Sequence, residues 1–81
     1  MDVPVVMPPL GDGAGDLVLN HWFKAVGDQV IKGEPFFEVG TDKVDVAVEV
    51  LDSGRVSQIL LAEGESAQEG QTIAYIDSSL G

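Results

Sequence analysis

The sequence predicts an all-β fold made of two similar halves. Valines recur at every second position from Val44 to Val50 and alternate with Asp45, Ala47 and Glu49, which is the period of a strand with one buried face. No segment joins an N-cap residue to an apolar stripe at helical spacing. Together with an internal repeat, these two observations favour a sandwich of antiparallel strands.

Five further short runs are rich in strand-forming residues and are separated by clusters of Gly, Pro, Asp and Ser, as expected for strands joined by turns. They are Val3 to Met7, Leu17 to Phe23, Phe36 to Val39, Val56 to Leu61 and Thr72 to Ile76. The four prolines lie at the starts, ends or edges of strands, where a missing N–H is tolerated.

The internal repeat appears when the sequence is shifted by 37 positions, which places residues 27–33 over residues 64–70. Each half then reads as a strand, a turn with Gly and an acidic residue, a short apolar strand, a Gly turn and a strand. Half of this chain is too small to bury a core of its own. We therefore expect the halves to pack on each other with pseudo-twofold symmetry.

Composition and charge exclude several classes of function. The 81 residues form one domain, and fourteen acidic against four basic residues give a net charge of -10, which repels nucleic acid and anionic lipid. Without cysteine there is neither a disulfide nor a thiol nucleophile. The sequence offers neither a nucleophile paired with a base nor a cluster of metal ligands, so we expect a non-catalytic domain. We also expect the domain to be monomeric and to have no nucleic acid or membrane partner.

A lysine lies in the polar break before the valine strand. The segment Gly40-Thr41-Asp42-Lys43 suits a hairpin turn, which would present Lys43 at a tip where an enzyme can reach its amine. Taken alone, an exposed turn lysine is more often a solubility residue. Lys24 and Lys32 are competing lysines, but neither has the acidic motif that surrounds Lys43.

Three motifs in order resemble the lipoyl domains of dihydrolipoamide acyltransferases. Thr41-Asp42-Lys43-Val44 is similar to the signature around the modified lysine of that family. Met7-Pro8-Pro9-Leu10-Gly11 resembles its Met-Pro-x-Leu-Gly opening, and residues 22–30 resemble its Trp-x-x-x-x-Gly-Asp-x-Val segment. The resemblance covers Val3 to Asp77.

The resemblance implies a flattened barrel or sandwich of two four-stranded antiparallel sheets, a barrel-sandwich hybrid. It implies lipoic acid in amide linkage to Lys43, attached by a lipoate ligase or lipoyl transferase that reads Thr41, Asp42 and Val44. The lipoyl-lysine would be acylated by a thiamine diphosphate-dependent 2-oxo acid dehydrogenase, pass the acyl group to coenzyme A at an acyltransferase core, and be reoxidised by dihydrolipoamide dehydrogenase.

The resemblance has further implications for the chain around this site. The loop at Gly11, Asp12 and Gly13 does not have the glycine spacing of a phosphate-binding loop. It is therefore expected to be either a dehydrogenase-recognition loop or a plain flexible loop. The domain is expected to span 1–78, with 79–81 beginning a linker, and the compartment to be the bacterial cytoplasm or the mitochondrial matrix. The parent chain would be a dihydrolipoamide acyltransferase.

The sequence also departs from the family pattern. Val44 replaces the commoner Ala, Gly40 takes a place often held by Glu or Met, and residues 50–53 lack a frequent Pro pair. The first two changes fall on the expected recognition surface.

Two other functions compete with the lipoyl carrier. A biotinyl domain also modifies a hairpin lysine, but such domains resemble Met-Lys-Met at the tip, where this chain has Asp42-Lys43-Val44. An unmodified interaction module of the same fold is the second alternative. His21 is expected at the surface or on an edge strand, and Trp22 is expected to pack in the core.

Overall fold

A computed structural model describes residues 2–9, 16–41 and 44–80. Within them lie eight strands and one 3-10 helix. The strands are β1 (Asp2–Val6), β2 (Leu17–Trp22), β3 (Gln29–Val30), β4 (Pro35–Gly40), β5 (Asp45–Glu49), β6 (Gly54–Ile59), β7 (Ser66–Ala67) and β8 (Thr72–Asp77), and the 3-10 helix spans Ser78–Leu80. No helix among these residues is long and apolar enough to cross a membrane.

The strands form two four-stranded sheets, in the orders β1-β8-β6-β3 and β5-β4-β2-β7. Every pairing is antiparallel. The sheets face each other across one apolar core as a flattened sandwich and do not close into a barrel. The predicted all-β fold with two four-stranded sheets is confirmed.

The two halves of the sequence exchange their short strands. A shift of 37 residues carries β2, β3 and β4 onto β6, β7 and β8, and β2 and β6 share the same alternation of buried and exposed residues. β3 of the first half pairs with β6 of the second, whereas β7 of the second pairs with β2 of the first. Each sheet is therefore incomplete without a strand from the other half, which confirms that the halves pack together.

Two equivalent turns send the chain from one sheet to the other. Gly27 and Gly64 adopt φ values of 94° and 89°, a region that only glycine enters at no cost. In the first turn the Ala25 amide donates to the Asp28 carboxylate at 2.8 Å. In the second turn Ala62 and Glu65 form the same bond at 2.7 Å. The repeated acidic residue thus caps the turn that the repeated glycine permits.

The core lies between the sheets and is apolar throughout. Its largest fully buried side chains are Phe36, Phe37, Met7, Leu17, Leu19, Ile73 and Ile76. Trp22 packs against this core, with its ring 5.4 Å from Phe36 and 5.1 Å from Phe37 between centroids. Its indole N–H donates to the Leu61 carbonyl at 2.8 Å, so the one polar atom of the ring is satisfied. The predicted packing role of Trp22 is confirmed.

The valine strand differs from its prediction at the hairpin end. Val50 is 1% exposed, but Val46 is 37% and Val44 49% exposed, so the buried face covers only the far end of the strand. β5 lies at the edge of its sheet, with β4 as its one neighbour. Apolar periodicity identified the strand but did not reveal that its first residues extend past the cover of the opposite sheet.

We predict that Gly27→Ala and Gly64→Ala each lower the free energy of unfolding by about 1–3 kcal/mol. A Cβ at either position meets no atom within 4 Å, so the cost comes from the positive φ and not from a clash. Urea denaturation measures the effect. D-alanine at position 27, introduced by chemical synthesis, adds the same methyl group but favours positive φ, and an equal loss with D-alanine would contradict the conformational explanation.

Ser79 sets the acidity of the last strand residue. Its hydroxyl and its amide donate to one carboxylate oxygen of Asp77, at 2.6 Å and 3.1 Å, and the hydroxyl bond is the main reason that the pKa of Asp77 is lowered. A lowered pKa contributes stability at neutral pH that is lost as the pH falls through the folded-state value.

We therefore predict that Ser79→Ala raises the pKa of Asp77 toward its ordinary value. The accompanying loss of stability is expected at neutral pH and disappears as the pH falls through the folded-state pKa. An NMR titration of the side-chain carboxyl carbon measures this pKa. Ser57→Ala is the control, because Ser57 donates to the Tyr75 carbonyl and not to a carboxylate. An unchanged Asp77 pKa in Ser79→Ala would refute the assignment.

Candidate functional site

The hairpin of β4 and β5 carries the candidate site. Gly40 pairs with Asp45, which leaves a four-residue connection at 41–44. The Thr41 amide donates to the Val44 carbonyl at 2.9 Å, and the Val44 amide donates to the Thr41 hydroxyl at 3.3 Å. Both described ends of the connection are thus bonded to each other. Asp42 and Lys43 follow Thr41 in the chain and lie outside the described residues.

The beginning of β2 lies beside the same end of the hairpin. Val18 pairs with Gly40, and Asp16 immediately precedes this strand. The predicted recognition loop at Gly11, Asp12 and Gly13 lies outside the described residues. The described chain resumes at Asp16 and enters the sheet beside the end of β4.

The hairpin is acidic. Glu38 lies on β4, and Asp45 and Glu49 lie on β5. The described part of the chain has three basic residues, and none lies on these two strands: they are Lys24, Lys32 and Arg55. This distribution favours a partner with a cationic surface.

The competing lysines lie far from the connection. Lys24 follows β2 after Trp22, and Lys32 precedes the first residue of β4, so both are near the opposite end of the hairpin. The Lys24 ammonium is 3.5 Å from a Glu34 carboxylate oxygen. Neither lysine shares the environment of the hairpin connection.

A polar contact crosses the outer face of the hairpin. The side-chain amide of Asn20 on β2 donates to Asp45 at 3.0 Å and to Glu38 at 3.3 Å. Sequence reasoning missed Asn20, because its partners are 25 and 18 residues away and only the strand pairing brings them together. The one signal in the sequence was the unusual glycine at position 40.

His21 is a surface residue, as predicted. Its side chain is 54% exposed, and its Nδ1 lies 2.8 Å from a Glu63 carboxylate oxygen, which also accepts the Trp22 amide at 2.9 Å.

The residues that the structure describes contain no group of three side chains able to hold a metal ion.

An apolar groove lies between the edge strands β1 and β5, where the two sheets meet. Its volume is about 200 Å³. Its lining includes Pro4, Val6, Val48 and Leu51. The sequence pattern did not predict this groove, because it forms between edges that are distant in the chain.

The sequence matches the family described as biotin-requiring enzyme over residues 3–76. The chain belongs to this biotin and lipoyl domain family. The match runs from β1 to β8.

Curated relatives and a solved structure are similar along nearly the whole chain. One relative, from Staphylococcus saprophyticus, is 36% identical over 95% of the chain. It is the dihydrolipoyllysine-residue succinyltransferase component of the 2-oxoglutarate dehydrogenase complex. The acetyltransferase component of the pyruvate dehydrogenase complex of Corynebacterium glutamicum is 40% identical over 89%. The chain spans only 18% and 11% of these two relatives.

The lipoyl domain of the 2-oxoglutarate dehydrogenase complex from Azotobacter vinelandii has a similar fold. Its TM-score is 0.78 at 23% identity, covering 93% of this chain and 95% of that one.

We predict that Thr41→Val speeds amide hydrogen exchange at Val44 while changing the free energy of unfolding by no more than about 0.5 kcal/mol, as is usual for substitutions outside the core. The substitution keeps the size of the side chain and removes the hydroxyl that accepts the Val44 amide. NMR-detected exchange measures the effect. Thr41→Ser keeps the acceptor and should exchange like wild type, so equal rates in all three proteins would contradict the role of the hydroxyl.

Proposed function

We propose that the chain is a lipoyl carrier domain in which lipoic acid is amide-linked to Lys43. The observation that carries the proposal is a lysine in a four-residue hairpin connection of a biotin and lipoyl family domain. The relatives support lipoic acid in particular, because both are named for a dihydrolipoyllysine residue.

The described flanks of Lys43 suit attachment of an extended group. Amide formation needs an amine that an enzyme can reach, and the neighbouring Val44 is 49% exposed. The Thr41–Val44 hydrogen bonds hold the backbone on both sides of the two central residues. When bound, lipoic acid supplies a disulfide that accepts an acyl group and two electrons. The domain supplies position, while the acid-base chemistry belongs to its partner enzymes.

The partners follow from the carrier role. We propose that a lipoate ligase or lipoyl transferase modifies Lys43, and that the modified lysine visits a thiamine diphosphate-dependent 2-oxo acid dehydrogenase, an acyltransferase core and dihydrolipoamide dehydrogenase. The acidic hairpin supports electrostatic steering toward them. The two relatives serve different 2-oxo acids at similar identity, so overall similarity does not select the substrate. The segment at Gly11, Asp12 and Gly13 is proposed to contribute to that selection.

The domain is proposed to occupy 1–78, with a linker beginning at 79 in a longer acyltransferase chain. A flexible tether keeps a carrier at an effective concentration of about a millimolar near each active site. The two relatives named above come from bacteria, which favours the bacterial cytoplasm over the mitochondrial matrix.

We predict that incubation with lipoate, ATP and a lipoate ligase adds one lipoyl group to the wild-type domain and none to Lys43→Ala. The reaction joins the lipoate carboxyl to the lysine amine and consumes ATP, so the intact mass rises by lipoate less one water. Lys32→Ala is the matched control, because it removes an exposed lysine that lies outside the hairpin connection, and it should be modified like wild type.

A parallel incubation with biotin, ATP and a biotin ligase separates the two carriers of this family. Addition of biotin in place of lipoate would make the chain a biotinyl domain. A folded wild-type domain that gains no mass from either ligase would refute the carrier function and leave an unmodified interaction module.

A further inference from the structure

Asn20 links three strands at the base of the hairpin. β2 and β5 are separated by β4, yet the Asn20 amide on β2 reaches Asp45 on β5 at 3.0 Å and Glu38 on β4 at 3.3 Å. A neutral amide with two N–H donors lies here between two carboxylates that would otherwise repel each other. The contact therefore holds the acidic side chains together on the outer face.

A break in the strand register directs Asn20 across the sheet. Leu19 pairs with Val39, but His21 pairs with Glu38, so β2 carries one extra residue at position 20. Such a bulge re-aims a side chain. The second half has the same irregularity between Val56 and Gln58, at the position equivalent to Asn20 under the shift of 37 residues.

Gly40 leaves the space that this contact occupies. A Cβ at position 40 would collide with the Asp45 carboxylate and lie 2.8 Å from the Asn20 amide nitrogen. Any side chain at Gly40 would displace one of the two partners. The glycine that departs from the family pattern is thus explained by the side chains that cross over it.

The contact lies directly below the connection that contains Lys43. Asp45 is the first residue of β5, and Gly40 is the last residue of β4. β5 is an edge strand, so a tie to β2 adds a second anchor at the end where the core does not cover it. An anchor at this point restricts how the connection moves relative to the sheet.

We propose that Asn20 is a positioning residue for modification of Lys43, acting through Asp45 and made possible by Gly40. The proposal rests on the proposed function of Lys43 as the lipoyl attachment site. In this role Asn20 orders the base of the hairpin before the modifying enzyme binds.

Internal symmetry provides a matched control. Ser57 occupies the equivalent bulge on the other sheet, is exposed like Asn20, and donates to the Tyr75 carbonyl at 3.2 Å. Ser57→Ala and Asn20→Ala each remove side-chain hydrogen bonding at the same place of the repeat. Only Asn20→Ala acts on the hairpin.

The first measurement is amide hydrogen exchange by NMR, which requires no enzyme. We expect Asn20→Ala to speed exchange at Thr41 and Asp45 by a factor on the order of three or more, as local opening becomes easier. Ser57→Ala should leave these amides unchanged. Equal exchange in both variants would overturn the claim that Asn20 orders the hairpin.

The second measurement is the kinetics of lipoate attachment at a temperature where every variant is folded. We expect Asn20→Ala to raise KM for the domain about three- to tenfold with kcat nearly unchanged, because ordering is then completed on binding. Ser57→Ala should match wild type in both constants. Faster exchange with an unchanged KM would overturn the positioning role.

A reciprocal swap tests the donor–acceptor pair itself. Asn20→Asp places a third carboxylate beside those of Asp45 and Glu38 and should raise KM. The double variant Asn20→Asp, Asp45→Asn restores one hydrogen-bond donor and one acceptor between these two positions and has the wild-type net charge. We expect the double variant to recover a lower KM than Asn20→Asp alone. No recovery would mean that the enzyme reads the Asp45 carboxylate directly.

The two proposals fail in different ways. A wild-type domain that no lipoate ligase modifies refutes the carrier function and with it any role of Asn20 in modification, while the exchange measurement still decides whether Asn20 orders the hairpin. A modified wild type with identical constants in Asn20→Ala leaves the carrier function intact and refutes Asn20 alone.

Discussion

The fold depends on the exchange of short strands between the two halves. β3 and β7 each complete the sheet of the opposite half, and each is reached through a turn that contains a glycine at positive φ. Because the exchange is mutual, neither half can keep its sheet without the other. A chain of this length gains one shared core in this way, where two separate cores would be too small to be stable.

The exchange also decides where the hairpin lies. With the short strands at one edge of each sheet, β5 takes the opposite edge of its sheet, and the exposure of Val44 and Val46 places its start beyond the buried part of the core. Exposed valines at the start of β5 and the acidic residues beside them follow from that placement. The described residues next to Lys43 therefore lie outside the core, in keeping with the proposed carrier role.

The Asn20 contact shows how an edge hairpin can be held without burial. Hydrogen bonds from one amide to two carboxylates need neither a larger core nor a third sheet, only a bulge to aim the donor and a glycine to leave space. The equivalent bulge on the other sheet carries Ser57, which bonds only to the neighbouring strand. The two halves thus share a backbone bulge, but the side chain at the bulge makes different hydrogen bonds in each half.

The sequence by itself determined the all-β class, the positions of the six longer strands to within about two residues, the repeat and the hairpin of the fourth and fifth strands. These features depend on local composition and on periodicity, which can be read along the chain. Only the tertiary structure decided which half completes which sheet, how far the valine strand is buried, and that Asn20 meets Asp45 over Gly40. Those features depend on residues far apart in sequence, and on which strand lies at an edge, so no local pattern encodes them.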